Sequence, residues 1–197
     1  MGLKIIISSP SGAGKTTVTK NLLKKVKNSK LSVSCTTRKP RLGEKHGTDY
    51  FFISKKKFLE LRKKNKFLET AKVFDHYYGT LKDQVNNNKK ITFLDIDWQG
   101  ARIIRKKINY NCYSFYLLPP NFRELKKRLL KRHKDNSNLA LKRISYAKKD
   151  INYWTEYDDV FINDKIKNCT NEIIKKIKEI VELNNKKKKI IKLIKKF

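Results

Sequence analysis

At 197 residues, 39% hydrophobic and 11% aromatic, the chain has material for one well-packed domain with small inserts and too little for two. No apolar run is long enough to span a bilayer, the N-terminus lacks a signal peptide, and Ile6 stands where a myristoylation site needs Ser or Thr, so a cytoplasmic protein without stable membrane association is expected. The net charge of +31 invites a polyanionic partner, but lysine is scattered through every segment and no nucleic-acid-reading motif stands beside it; phosphorylated small molecules are expected rather than nucleic acid as the main partner.

Apolar runs of strand length alternate with amphipathic stretches of helix length, the pattern of an α/β fold with a largely parallel sheet. Lys4–Ser8 predicts a buried strand, followed by a turn and a helix over Thr16–Val26. Leu31–Cys35 and Tyr50–Ile53 read as strands on either side of the polar stretch Thr36–Asp49. Lys55–Lys64 predicts a helix and Phe67–Phe74 an extended segment, with Asp75-His76 and Leu81–Lys90 in surface turns. Ile91–Asp97 and Cys112–Leu118 are the next buried strands, with a helix over Gly100–Lys107 between them. Pro119-Pro120 ends the second strand and opens a helix over Asn121–Arg132. His133–Asn138 is a polar break before a long helix to about Tyr153; Val160–Asn163 is a last strand and Asn171–Leu183 a final helix. In the tail Asn184–Phe197, Ile190, Leu193, Ile194 and Phe197 would share one helical face among lysines, expected to dock on its own domain or on a second subunit. Cys35, Cys112 and Cys169 are odd in number and in no paired motif, so they read as reduced thiols without a metal site.

The strongest local signal is Ser9-Pro10-Ser11-Gly12-Ala13-Gly14-Lys15-Thr16, followed by Thr17. It follows a strand and opens a helix, the context of a Walker A loop. Gly12 and Gly14 let backbone N–H groups turn inward around a phosphate, and the helix adds its positive end. Lys15 can bridge β- and γ-phosphates and the Thr16 hydroxyl can ligate Mg²⁺. Ser9 stands where the pattern has its first Gly.

A second constellation is Ser32-Val-Ser34-Cys-Thr-Thr-Arg38-Lys-Pro-Arg41-Leu-Gly-Glu44, running on to Tyr50. Arg38 and Arg41 can both point at one dianionic phosphate, which their planar forks suit. With Glu69, Tyr77-Tyr78-Gly79-Thr80, Leu94-Asp95-Ile96-Asp97-Trp98-Gln99-Gly100 and Asn163-Asp164, this stretch resembles the guanylate kinase family over residues 3–183.

The resemblance implies a three-layer P-loop NTPase core with a parallel sheet (residues 1–32, 91–122 and 151–183), a GMP-binding insert (about 33–90), a helical lid (about 123–150) and a basic tail (184–197). It implies Mg²⁺-dependent phosphoryl transfer from ATP to GMP, with dGMP as a further substrate, and leaves room for a homodimer. Ser9–Thr17, Arg128, Asn163 and Asp164 would hold ATP, with Asn163-Asp164 at the adenine. Ser34, Arg38, Arg41, Tyr50, Glu69, Tyr78, Thr80 and Asp97 would hold GMP, and Asp95 would face the metal and phosphates with Thr16. Lys15, Arg41, Arg132 and Arg143 are the catalytic candidates; no general base is needed, because the GMP phosphate is already an anionic nucleophile. Guanine offers N1–H and N2 donors that one carboxylate, Glu69, can accept together, whereas adenine presents a lone pair at N1. A non-catalytic relative that binds proteins is disfavoured by the intact Lys15 and Thr16. His133, in place of a common Gly, and Asn136-Ser137-Asn138 depart from the family's lid.

Overall fold

The computed structural model describes residues 2–85, 91–107, 111–134 and 136–194, with positions 188 and 192 by backbone alone. The first strand, β1 (Leu3–Ser8), alternates its side chains between two apolar clusters. Leu3, Ile5 and Ile7 pack with α1 (Lys15–Lys25) and the last helix, while Ile6 packs on the opposite face. The same alternation holds in β7 (Ile91–Asp95) and β8 (Cys112–Leu118), where Phe93, Phe115 and Leu117 face one way and Leu94 and Tyr116 the other. With β2 (Ser29–Leu31) and β9 (Asp159–Ile162) they form a parallel sheet ordered β2-β7-β1-β8-β9. Helix α4 (Trp98–Lys107) covers the second face through Ala101 and Ile104, completing three layers.

The stretch Leu31–Cys35, expected as one strand, is divided between two sheets. Ser32 N still donates to Phe93 O on the core sheet, at 2.8 Å. From Ser34 the chain joins β3 (Cys35–Thr36), which pairs in parallel with β4 (Phe51–Phe52) and antiparallel with β6 (His76–Leu81). The hairpin partner β5 (Phe67–Val73) completes this second sheet. It has its own apolar cluster, where Phe58 of α2 (Lys55–Lys63) stacks on Phe67 with ring centroids 4.6 Å apart. Residues His76–Leu81, expected as a turn followed by a motif, are strand, because β5 needs a partner for its backbone groups. Lys82–Val85 is a short helix, α3; the remainder of the expected turn, 86–90, lies outside the described residues.

Two helices, α5 (Phe122–Arg132) and α6 (Ser137–Asp150), close over a fourth cluster of Leu125, Leu129, Ile144 and Ala147. Asn121 and Asn136 cap them, accepting from Glu124 N at 2.8 Å and Leu139 N at 2.9 Å. The polar substitution at 136 thus opens a helix. The expected helix to Tyr153 ends at Asp150 and tightens into a 3₁₀ stretch, Ile151–Glu156. The final helix is far longer than expected: α7 runs from Ile166 to Ile194, since neither Gly nor Pro interrupts it. Its far end does not dock on the domain, for Ile190, Leu193 and Ile194 are exposed; Phe197 lies outside the described residues.

Candidate active site

The loop between β1 and α1 turns at Gly12 (φ 89°) and Gly14 (φ 92°), backbone angles that side chains resist. A Cβ on Gly14 would also strike the Asn163 side chain, whose Nδ2 donates to Ala13 O at 2.7 Å. Asn163 therefore braces the loop from the end of β9, while Asp164 beside it is exposed. Lys15 opens α1 and forms an ion pair with Asp95 Oδ1, also donating to Ile96 O at 3.2 Å. Parallel pairing of β1 with β7 (Ile7 opposite Asp95) brings that carboxylate to the loop, at the strands' C-terminal edge. Thr16 and Thr17 are exposed in the first turn of α1, and the Ser9 hydroxyl donates to Pro10 O at 3.0 Å.

The second sheet and α4 together build a buried polar pocket. Glu69, 4% exposed, accepts from Thr80 Oγ1 at 2.7 Å, and Thr80 lies 3.3 Å from Ser34 Oγ. The other Glu69 oxygen presses against Gly100, where a Cβ would come within 2.6 Å. Asp97 accepts from Gly100 N at 2.9 Å and from Gln99 Nε2 at 3.1 Å. Burial pushes the Glu69 carboxyl up to about 7, with Asp97 adding to the push, and burial raises Asp97 as well. Burial and Asp97 likewise lift Asp150 to about 6.

On the loop after β3, Glu44 organises the arginines. It takes Arg38 in a two-pronged bond, at 2.9 and 3.0 Å, and accepts from Arg41 N at 2.8 Å. Arg38 lies over the Tyr50 ring at 5.5 Å, and Tyr50 meets Tyr78 edge-on at 6.0 Å. Helices α5 and α6 bring further cations. Arg143 NH1 reaches to 3.5 Å from Ser11 Oγ, and its Nε is buried without a partner among the described residues. Arg128 is held by Glu124 at 2.9 Å and points at Asn163 O, while Arg132 stands exposed at the end of α5. Burial and Arg38 hold Arg41 below the usual arginine range, and burial and Arg41 do the same to Arg143. His133 belongs to this neighbourhood: burial, then Arg143 and Arg41, hold its imidazole down. The cluster is thus a set of crowded positive charges that phosphate oxygens would relieve.

A single cavity of about 560 Å³ opens onto all three groups. Of the residues expected at the site, Ala13, Thr80, Asn163 and Asp164 do not line it; they stand behind residues that do or beside them. The sequence reading missed Glu44 as the orienter of the arginines, and Gly100 as the position that admits the Glu69 carboxylate; both sit inside the motifs quoted for other residues. It also missed Trp98, Tyr146 and Asp150 on the cavity wall. The three cysteines are unpaired, and burial pushes each thiol up to about 11, in keeping with reduced thiols.

The guanylate kinase family model matches residues 1–184. A guanylate kinase of Rickettsia felis is 44% identical over 189 residues, covering 94% of this chain and 96% of that protein. One of Rickettsia prowazekii is 46% identical over 183 residues, covering 91% of this chain and 90% of that protein. Among solved structures, guanylate kinase from Anaplasma phagocytophilum superposes with a TM-score of 0.76 at 31% identity, covering 90% of this chain and 85% of that one.

Proposed function

Since the chain belongs to the guanylate kinase family and transfers the terminal phosphoryl group of ATP to GMP, we propose that both nucleotides sit in the one cavity, ATP on the Ser9–Thr17 loop and GMP against Glu69. The observation that carries this assignment is that Glu69 and Ser34, joined through the buried Thr80 hydroxyl behind them, open onto the same cavity as Lys15. A carboxylate beside a hydroxyl complements guanine, with N1–H and N2 donating to Glu69 and O6 accepting from Ser34, while Thr80 holds the carboxylate from behind. Adenine meets the carboxylate with a lone pair and is rejected.

The GMP phosphate lies between Arg38 and Arg41, with the Tyr50 and Tyr78 hydroxyls as neutral donors. Lys15 leaves Asp95 for the β- and γ-phosphates of ATP. Arg41, Arg132 and Arg143 face the phosphoryl group in transit, whose three oxygens carry the charge, so their work is positioning and electrostatic stabilisation. The donor set suits Mg²⁺, a hard cation that keeps most of its waters and takes one or two protein oxygens: Thr16 offers a hydroxyl and Asp95 a nearby carboxylate. Bound there, Mg²⁺ would neutralise phosphate charge. Among the described residues no group of three or more His, Cys, Asp or Glu competes for a metal, and no helix is long and apolar enough to cross a membrane.

A coupled assay of ADP release across GMP, dGMP, AMP, CMP and UMP tests the reading. The guanine nucleotides should exceed AMP by about 10⁴-fold in kcat/KM, the scale of a site built to hydrogen-bond one base. Comparable turnover of AMP would overturn the guanine assignment.

A further inference from the structure

Helix α7 buries Cys169, Ile173, Ile177 and Ile180 against the core sheet and then leaves the domain. It continues past position 184, where the family match ends, to Ile194. At about 1.5 Å per residue the projecting part is roughly 15 Å long. On it Ile190, Ile191, Leu193 and Ile194 are 46%, 53%, 58% and 63% exposed. At about 100° per residue these four positions fall within an arc of about 160°. The other positions from 188 to 194 are all lysine, and residues 186–196 hold seven lysines with no acid after Glu182. A general bias towards Lys and Ile enriches both, but it does not by itself keep the lysine positions from 188 to 194 outside the apolar arc; Lys186 and Lys187, a turn earlier, fall within it.

Three kinds of occupant could cover such a face, and the charges separate them. A second copy would bring the same lysines and the same net charge of +31 against it. Nucleic acid would satisfy the lysines and leave the four aliphatic side chains in water. An anionic phospholipid surface accepts both, with headgroups for the cations and the acyl boundary for the apolar arc. We propose that the end of α7 lies reversibly on anionic membrane surfaces and brings the enzyme to them. So short an apolar arc gives exchange between membrane and solution rather than permanent anchoring, because it buries little area and depends on charge.

The test is vesicle flotation of the full chain and of an Ile190→Asp/Ile194→Asp variant. Vesicles of equal phosphatidylcholine and phosphatidylglycerol are compared with phosphatidylcholine alone. Neither residue lines the cavity, so the variant keeps its kinase activity off vesicles, which also reports that it is folded. The full chain should partition at least about tenfold better onto the anionic vesicles, and the variant should lose about tenfold of that partitioning. Equal binding of both proteins would reduce the effect to charge alone and overturn the proposal. So would tighter, variant-insensitive binding to polyuridylate, or a variant-sensitive dimer by sedimentation with no vesicle binding.

Discussion

Glu69 is buried beside a second carboxyl, with a hydroxyl rather than a cation on one oxygen. Burial therefore holds it up to about 7, neutral in the ligand-free protein below that pH. On the proposed placement guanine presents two donors to it, which favours the ionised form, so GMP binding should release a proton near neutrality. The sign follows: GMP affinity falls as pH drops through 7, by about tenfold between about pH 8 and about pH 6. Calorimetry in buffers of different ionisation heat measures both the affinity and the proton. The GMP phosphate titrates in the same region, so the Glu69→Gln variant supplies the baseline; equal slopes in the two proteins would exclude Glu69 as the titrating group. Lys15 offers a second residue-scale expectation. Lys15→Ala should leave less than about a tenth of kcat, because the charge on the β/γ-phosphates is gone. Circular dichroism and a melting curve show whether the unpaired Asp95 also costs stability. Residue types at these positions were readable from sequence because their chemistry is local to a motif. Glu44 and Gly100 were not, since one acts through the arginines it orients and the other through a side chain it lacks.

Where elements meet, the turn between β5 and β6 touches helix α6. Phe74, between β5 and β6, has φ 54°, a left-handed conformation that bulky residues rarely adopt. Its ring lies 4.7 Å from the Arg143 guanidinium carbon and 4.9 Å from the Tyr146 ring, both on α6, and Lys142 reaches neighbouring Asp75 at 3.9 Å. Phe74 thus supports the guanidinium of Arg143 whose NH1 reaches towards Ser11. A cation over an aromatic face contributes about 0.5–2 kcal/mol, so Phe74→Ala should lower kcat by about 3–30-fold with little change in ATP KM. Phe74→Tyr, which keeps the ring, should restore it. If Phe74→Ala changes only the melting temperature, the contact is packing and nothing more. This junction was hidden in the sequence, where Asp75-His76 reads as a surface turn and Phe74 as the end of a strand. The buried strands were legible because their apolar runs are continuous. The split at Ser32–Ser34 was not, since a strand that changes sheets keeps its pattern while its partners change. The length of α7 was missed for a related reason: an amphipathic domain helix and a projecting one read alike.

Across the whole molecule, four apolar clusters of described residues stay separate: one on each face of the core sheet, the Phe58–Phe67 cluster of the second sheet, and the Leu125–Ile144 cluster of α5 and α6. The cavity lies where these bodies meet, so each contributes to it without giving up its own packing. That arrangement suits a reaction in which two anionic nucleotides must be gathered together, and the crowded arginines supply the attraction. The central claim is that one part of the cavity reads guanine while another, independently, holds ATP. The most direct test is kcat/KM for GMP and for AMP, with the KM for ATP, in the natural protein and in Glu69→Gln. The amide keeps the shape but sets a donor against guanine's donors, leaving a polar group unpaired at about 1–3 kcal/mol. GMP efficiency should fall at least about tenfold, AMP should be rejected less strongly, and the ATP KM should stay within about twofold. An unchanged GMP:AMP ratio would contradict the account, and would move the reading of guanine from Glu69 to Asp97.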